Sequence, residues 1–470
     1  MLGEKESVKM SLCPRGLVSI ALFSLQLFLF LTCCSSAGPL YGQAINQLPA
    51  TDSIPCGHFS DVFLRPQDIS AERSPTRITL MAARWSTLQV SAAGFQKTGV
   101  RLVGWDGGHL VPTQYKDDSG LDYYVPQFAS FLHLSLADAT DLFIFGVVML
   151  SSAIGLAGLM LVLKGRGLKV WAVCEVALLA VLSVGIGDVY AIQSAVVILT
   201  VPWVLYFSRD WEGGSRFSFF FVVGVLAGVA NFVRSQAGTT VLVFCFLLLG
   251  LYGKGSSRRR ILLLSCLLAG VAASTLYYRH AFVVRDAYIQ NHDSAYRPPA
   301  PRQHPLWHSV YIGLGFVSNP YVPGGYCDQV GMNAVQKASA TTSFFSPEYD
   351  RVLGQQVYKL ATSHPYVVLV NVAAKLGILQ LTALLAGNIG LLAAICYPKP
   401  RSLEGAFLMA TGVGAVQGLL VIPNTKYVLG GVAMLVLYGL VSINHALEQG
   451  GVRRLSMALH SGTRPTIDKG

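Results

Sequence analysis

Runs of about 20 predominantly apolar residues, each long enough as a helix to cross the hydrocarbon core of a bilayer, recur along most of this chain. They constrain its fold more than any other feature. Ten can be read, at 16–36, 141–163, 170–190, 191–207, 217–233, 237–253, 261–278, 377–397, 403–423 and 427–446. The third and fourth adjoin near Asp188, which predicts a tight turn or a broken helix there. The expected fold is an all-α polytopic membrane protein of about ten transmembrane helices, because a continuous apolar segment satisfies its backbone in lipid by coiling. Of the 470 residues only 13% are charged and 53% are hydrophobic, against about 25% charged in an ordinary soluble domain. A soluble enzyme, a secreted disulfide scaffold and a disordered chain are excluded.

The charge balance has a membrane explanation. Lys plus Arg number 35 and Asp plus Glu 24, a net charge of +11. The basic residues cluster in alternate connectors: KGRGLK (164–169), SRDWEGGSR (208–216), KGSSRRR (254–260) and PKPRS (398–402), with Arg453 and Arg454 in the tail. The opposite short connectors carry only Arg234 and Lys426. By the positive-inside rule both termini are expected in the cytoplasm, with the chain multi-pass in the cytoplasmic (inner) membrane. The expected partner of this surface is the lipid bilayer, and no nucleic acid. The first run has a second reading, since a basic start, an apolar stretch and SSAG (35–38) also describe a cleavable signal peptide.

Two long polar segments fall outside, and with the runs they divide the chain. The cytoplasmic N-terminus and first span occupy 1–36, the first extracytoplasmic loop 37–140, and spans two to seven 141–278. The second large loop is 279–365, a juxtamembrane helix with spans eight to ten is 366–446, and the cytoplasmic tail is 447–470. Loops this long are functional or disordered, and aromatic stretches such as LDYYVPQF and HPLWHSVYIGLGF argue for folded structure. Residues 122–138 and 347–376 read as short helices lying on the membrane surface. Of the nine Cys, only Cys56 and Cys327 lie in the long polar loops. Glu175 is the clearest acid deep in a span, whereas the rest of the polar chemistry gathers at the outer face.

In YKDDSGLDYYVPQ (115–127) the neighbouring carboxylates Asp117 and Asp118 can raise one another's pKa or hold a cation; the plain alternative is a solvated turn. Asp122 follows in the same segment. Asp106, in GWDGGH (104–109), sits in a stronger turn context. Arg234, in NFVRSQAG (231–238), is the one charge of its connector. A guanidinium there either grips a phosphate or anchors the helix among headgroups. Lys426, in IPNTKYVLGG (422–431), offers the same choice beside Tyr427. Asp188, in IGDVY (186–190), either caps the next helix, binds a metal or orients an acceptor. His304 and His308 have i, i+4 spacing but too few companions for a zinc site, so no metal ligands are assigned; the cofactor is unknown, with a divalent metal as one option. The small residues of GVLAG (224–228) and GVGAVQG (412–418) suit close helix packing.

These spans, outer loops and outer-face charges resemble the GT-C superfamily of integral-membrane glycosyltransferases. The resemblance rests on Asp117–Asp118 before Tyr123–Tyr124, on the basic residue of VRSQAG, and on Lys426–Tyr427, where relatives often have Arg-Tyr. Residues 300–376 look like the outer loop of uncharacterised bacterial members. The acidic-aromatic signature of aminoarabinose and protein mannosyl transferases is replaced by DDSGLDYY, so the base is Asp117, Asp118 or Asp122.

The resemblance implies sugar transfer from a polyprenyl-phosphate donor to an extracytoplasmic glycan, lipid or protein acceptor. Asp117 or Asp118 would be the catalytic base, and Arg234 and Lys426 would bind the lipid phosphate. Two other classes stay open: a transporter or flippase of lipid-linked sugar, and a non-catalytic membrane assembly subunit.

Overall fold

The computed structural model describes residues 76–78, 80, 82–113, 119–208, 214–252, 256–298, 306–322, 328–339, 342 and 346–460. The run at 16–36, Cys56, Asp117, Asp118, His304 and Cys327 lie outside these residues. Among the described residues seven helices are long and apolar enough to cross a membrane: α3 (Leu136–Val162), α4 (Arg166–Ile186), α6 (Ser215–Val233), α8 (Ser257–His292), α12 (Pro365–Cys396), α13 (Arg401–Leu420) and α14 (Thr425–His460, apolar to Gly450). Two more apolar helices are shorter, α5 (Ala191–Phe207) and α7 (Thr239–Leu247), the latter closing in a π-turn. The architecture is that of an all-α, multi-pass membrane protein. Its outward faces carry exposed Phe145, Leu150, Leu268, Leu276, Leu384 and Leu392, side chains that a protein in water would cover.

α14 packs against α4, α5, α12 and α13. Within its apolar window 83% of residues are buried, against 17–39% in the other six, so α14 is the most enclosed of the long apolar helices. Close approach depends on small residues, since helices in lipid gain little from apolarity and much from contact. A Cβ at Gly390 on α12 would overlap the Gly439 backbone of α14. Gly224 of GVLAG meets the backbone of Leu267 on α8, and Gly414 of GVGAVQG meets Gly431. Gly412 faces open space.

Helix ends follow local chemistry more than hydropathy. The segment read as one surface helix over 122–138 is two elements. α2 (Ser119–Leu132) ends where His133 turns left-handed (φ 54°), and Ser135 then caps α3 by accepting from the Asp138 amide at 3.1 Å. The segment 347–376 likewise breaks at His364, between α11 (Pro347–Ser363) and α12. α12 then starts at Pro365, a residue preset for a first helical turn, twelve positions before the apolar run at 377. α12 is itself broken at Asn388 (φ 40°, ψ −136°), whose Nδ2 donates to Glu175 Oε1 at 2.9 Å. Trp171 Nε1 donates to the same oxygen at 2.8 Å, so the deep acid of α4 holds the kink.

The described parts of the two long polar segments fold against the same end of the bundle. The first contains α1 (Ala82–Thr98), a hairpin of β1 (Val103–Asp106) and β2 (His109–Pro112), and α2. The hairpin, a departure from the all-helical expectation, turns on Gly107 and Gly108, both with positive φ (54° and 88°), as a two-residue turn requires. Buried Arg285 of α8 holds it by donating to Thr113 O at 3.0 Å. The second segment contains α9 (Leu306–Gly313), α10 (Asp328–Ala338) and α11, gathered on Leu314, Val335, Tyr349 and Leu353. It docks on the bundle where Asn371 Nδ2 donates to Leu314 O at 2.7 Å. Lys375 Nζ closes the end of α13 by donating to Leu419 O at 3.1 Å, a cation where the helix dipole favours one.

Candidate functional site

Three connectors meet at that end: α4 to α5 (187–190), α6 to α7 (234–238) and α13 to α14 (421–424). The first turns sharply because Gly187 and Asp188 are both left-handed (φ 65° and 55°). Asp stabilises this turn locally, its Oδ1 accepting the Val189 amide at 2.7 Å. The turn delivers Tyr190 into the interior at 5% exposure.

Tyr190 is the hub of the site. Arg234 ends α6 in extended conformation, in a connector shaped by Asn231 Oδ1 accepting the Gly238 amide at 2.8 Å. Its buried guanidinium lies over the Tyr190 ring, 4.5 Å from the centroid. Lys426 stands in the first turn of α14, its amide held by Asn424 Oδ1 at 3.1 Å. Its ammonium lies 5.7 Å from the Tyr190 centroid and 5.3 Å from that of Tyr427. The Tyr427 ring meets Tyr190 edge to face at 5.3 Å. Two cations far apart in the chain thus share one aromatic platform, with attraction falling off towards about 6 Å.

Asp188 joins this group through a residue the sequence did not single out. Arg84 Nε of α1 lies 2.8 Å from Asp188 Oδ1, with the two side chains 14% and 5% exposed. Arg84 belongs to ARW within a loop that carries several arginines, so no spacing distinguished it; only tertiary packing brings it to Asp188. The second oxygen, Asp188 Oδ2, is buried without a hydrogen-bond partner.

The remaining candidates occupy other positions. Asp122 is buried in the first turn of α2, where its backbone carbonyl accepts from Ser91 Oγ at 3.0 Å. Asp106 is exposed at the end of β1, paired across the hairpin turn with His109. The aromatic pair after the acids binds a second pair on α8: Tyr123 donates to Tyr277 at 2.9 Å, and the Tyr124 and Tyr278 hydroxyls bond to each other. Phe232 stacks on Tyr278 at 3.7 Å, two residues before Arg234. Gly120 of α2 packs directly against Val233, so the helix that follows Asp117–Asp118 in sequence touches the residue preceding Arg234.

His308 of α9 is engaged elsewhere. Burial, with Asp328 and Asp350 nearby, pushes the Tyr349 hydroxyl up from its ordinary value, so the phenol stays protonated and donates to His308 Nδ1 at 2.7 Å. On the other side of the ring, Nε2 lies 3.1 Å from Asp328 Oδ1. Among the described residues no three His, Cys, Asp or Glu side chains gather as metal ligands.

Two other buried cations are internally closed. Lys399 donates to Ser442 at 2.6 Å and pairs with Glu404 at 2.9 Å, and Lys375 is bound to helix carbonyls as described above. The site around Tyr190 differs, because two cations, Arg234 and Lys426, lie over the same ring. Such a place suits an anion, for a guanidinium offers two parallel donors and an ammonium a point charge. No family model, curated protein or solved structure matches the chain.

Proposed function

We propose that the protein is a membrane glycosyltransferase that takes a sugar from a polyprenyl-phosphate donor and passes it to an extracytoplasmic acceptor. The fold proposed with it has ten spans and cytoplasmic termini in the cytoplasmic membrane, resembling the GT-C superfamily. The observation that carries the reading is the convergence of Arg234 and Lys426 on the Tyr190 ring, at the end of the bundle that the polar segments cover. Outside the cytoplasmic membrane nucleotide sugars are absent, so an activated sugar there arrives on a lipid. Its phosphate at headgroup level would meet these cations.

The chemistry is a displacement. The acceptor hydroxyl oxygen attacks the anomeric carbon, the bond from that carbon to the phosphate oxygen breaks, and polyprenyl phosphate leaves with its electron pair. Arg234 and Lys426 neutralise the leaving charge in a site poor in water. Asp117 or Asp118 takes the hydroxyl proton, and direct displacement inverts the anomeric centre. The second polar segment orients the acceptor.

A carrier of lipid-linked sugar is the second reading, favoured by the break in α12 at Asn388 against buried Glu175, since broken helices and buried acids also serve transport. Reconstituted vesicles with glycosyl polyprenyl phosphates and envelope acceptors separate the two. Transfer predicts release of polyprenyl phosphate, a loss of at least about 100-fold in turnover in the worse of Asp117→Asn and Asp118→Asn, and retained donor binding. Movement of the lipid across the bilayer without cleavage, or normal turnover in both variants, would refute it.

A further inference from the structure

The charge pattern around Tyr190 contains one member that does not suit a phosphate. Asp188 is a carboxylate paired with Arg84, two residues before the Tyr190 ring that carries Arg234 and Lys426. An anion-binding site gains nothing from a carboxylate beyond what is needed to orient a cation. Its Oδ1 does that work, taking the Val189 amide at 2.7 Å and facing Arg84 Nε at 2.8 Å. Oδ2 is left over, buried and without a hydrogen-bond partner. Such an oxygen calls for an explanation, since buried polar atoms are almost always satisfied. The turn that puts it there is a left-handed one at a non-glycine residue (φ 55°), a conformation that persists at binding sites when the surroundings fix it.

An ionised carboxylate oxygen only accepts, so whatever completes it must bring a hydrogen or a positive charge. The neighbouring cations of Arg84, Arg234 and Lys426 disfavour an ammonium group or a metal ion at this point. A neutral hydroxyl remains. The group that satisfies the whole pocket therefore carries an anionic part for the cations and a hydroxyl for Asp188, which is the chemistry of a sugar phosphate.

We propose that Asp188 Oδ2 accepts a hydrogen bond from a hydroxyl of the donor sugar, while Oδ1 positions Arg84 beside the phosphate. This rests on the lipid-phosphate reading above and deepens it: Asp188 reads the glycosyl part of the ligand, and the cations read the phosphate part.

The test uses the full chain in lipid nanodiscs and two kinds of probe. One is polyprenyl phosphate; the other is the same lipid carrying glucose, mannose or N-acetylglucosamine. Asp188→Asn keeps the size of the side chain and an oxygen for Arg84, but weakens the acceptor. It is expected to lower affinity for at least one glycosyl lipid about 10-fold and to leave polyprenyl phosphate unchanged or tighter. Arg84→Gln is expected to weaken both kinds of probe alike. Equal losses on both probes in Asp188→Asn would overturn the proposal by reducing Asp188 to a support for Arg84. Wild-type affinity on every probe would overturn it by leaving only a buried water at Oδ2. In both cases, binding of polyprenyl phosphate by the wild type would keep the broader reading intact. A wild type that binds neither kind of probe would overturn both.

Discussion

Replacing Tyr190 by Leu removes the ring that carries two cations and is the most informative single change at the site. The guanidinium of Arg234, buried and 4.5 Å from the centroid, lies in the range where a desolvated cation–π contact contributes up to about 2 kcal/mol. Lys426 at 5.7 Å is near the limit, worth about 0.5 kcal/mol. The loss is bounded at about 2.5 kcal/mol, and retention of half by other contacts leaves a little over 1 kcal/mol. At about 1.4 kcal/mol per factor of ten, the affinity for polyprenyl phosphate should fall about 8- to 60-fold. Tyr190→Phe keeps the ring and should bind like the wild type. Both variants are titrated in nanodiscs, with thermal melting alongside, because Leu is smaller than Tyr at a position only 5% exposed and will lower stability by itself. Normal binding in Tyr190→Leu would show that the ring does not organise the cations. An equal defect in Tyr190→Phe would transfer the role to the hydroxyl.

Other perturbations address the frame that holds the site. Gly390→Ala should destabilise the bundle by about 1–3 kcal/mol, because its Cβ would overlap the Gly439 backbone, whereas Gly405→Ala meets nothing within 4 Å and should be neutral or slightly stabilising. Melting of the two variants in detergent decides this, and equal stability would mean that α12 and α14 do not need their close approach. Reporter fusions after residues 100 and 330 should read outside, and those after 257 and 455 inside; a cytoplasmic signal at 330 would remove the proposed acceptor region from the side of the site. Arg234→Lys should bind polyprenyl phosphate more weakly than the wild type but better than Arg234→Ala, since charge survives and the two-pronged geometry does not. Indistinguishable Lys and Ala variants would indicate that geometry alone matters.

The sequence showed the described helices and singled out part of the candidate cluster around Tyr190. The nine apolar runs that fall among the described residues coincide with helices, because a continuous apolar stretch leaves the backbone little choice. Their ends were less readable. Hydropathy reports which residues face lipid, whereas α8 continues as helix to His292 through polar residues and α12 begins at Pro365 because proline and His364 set the break. Arg234 and Lys426 stood out because each is the lone charge of a short connector. Arg84 could not, since its significance depends on the fold bringing α1 to the Asp188 turn. A turn was legible in GWDGGH, but not the hairpin that Gly107 and Gly108 close with positive φ. The short strands themselves were too brief to announce it.

The position of α14 also says something about how the protein is made. It is the most enclosed of the long apolar helices, and it follows the others in the order of synthesis. Until it leaves the ribosome, the faces of α4, α5, α12 and α13 that it covers have no α14 against them. Gly390 and Gly414 wait for backbone that does not yet exist. Lys426 enters with the same helix, so the cluster on Tyr190 is completed only when α14 arrives. A ribosome that stalls before residue 425 would leave membrane-inserted helices that lack both α14 and a site. Quality-control proteases would find such a chain by its loose packing, even though every earlier segment had inserted correctly.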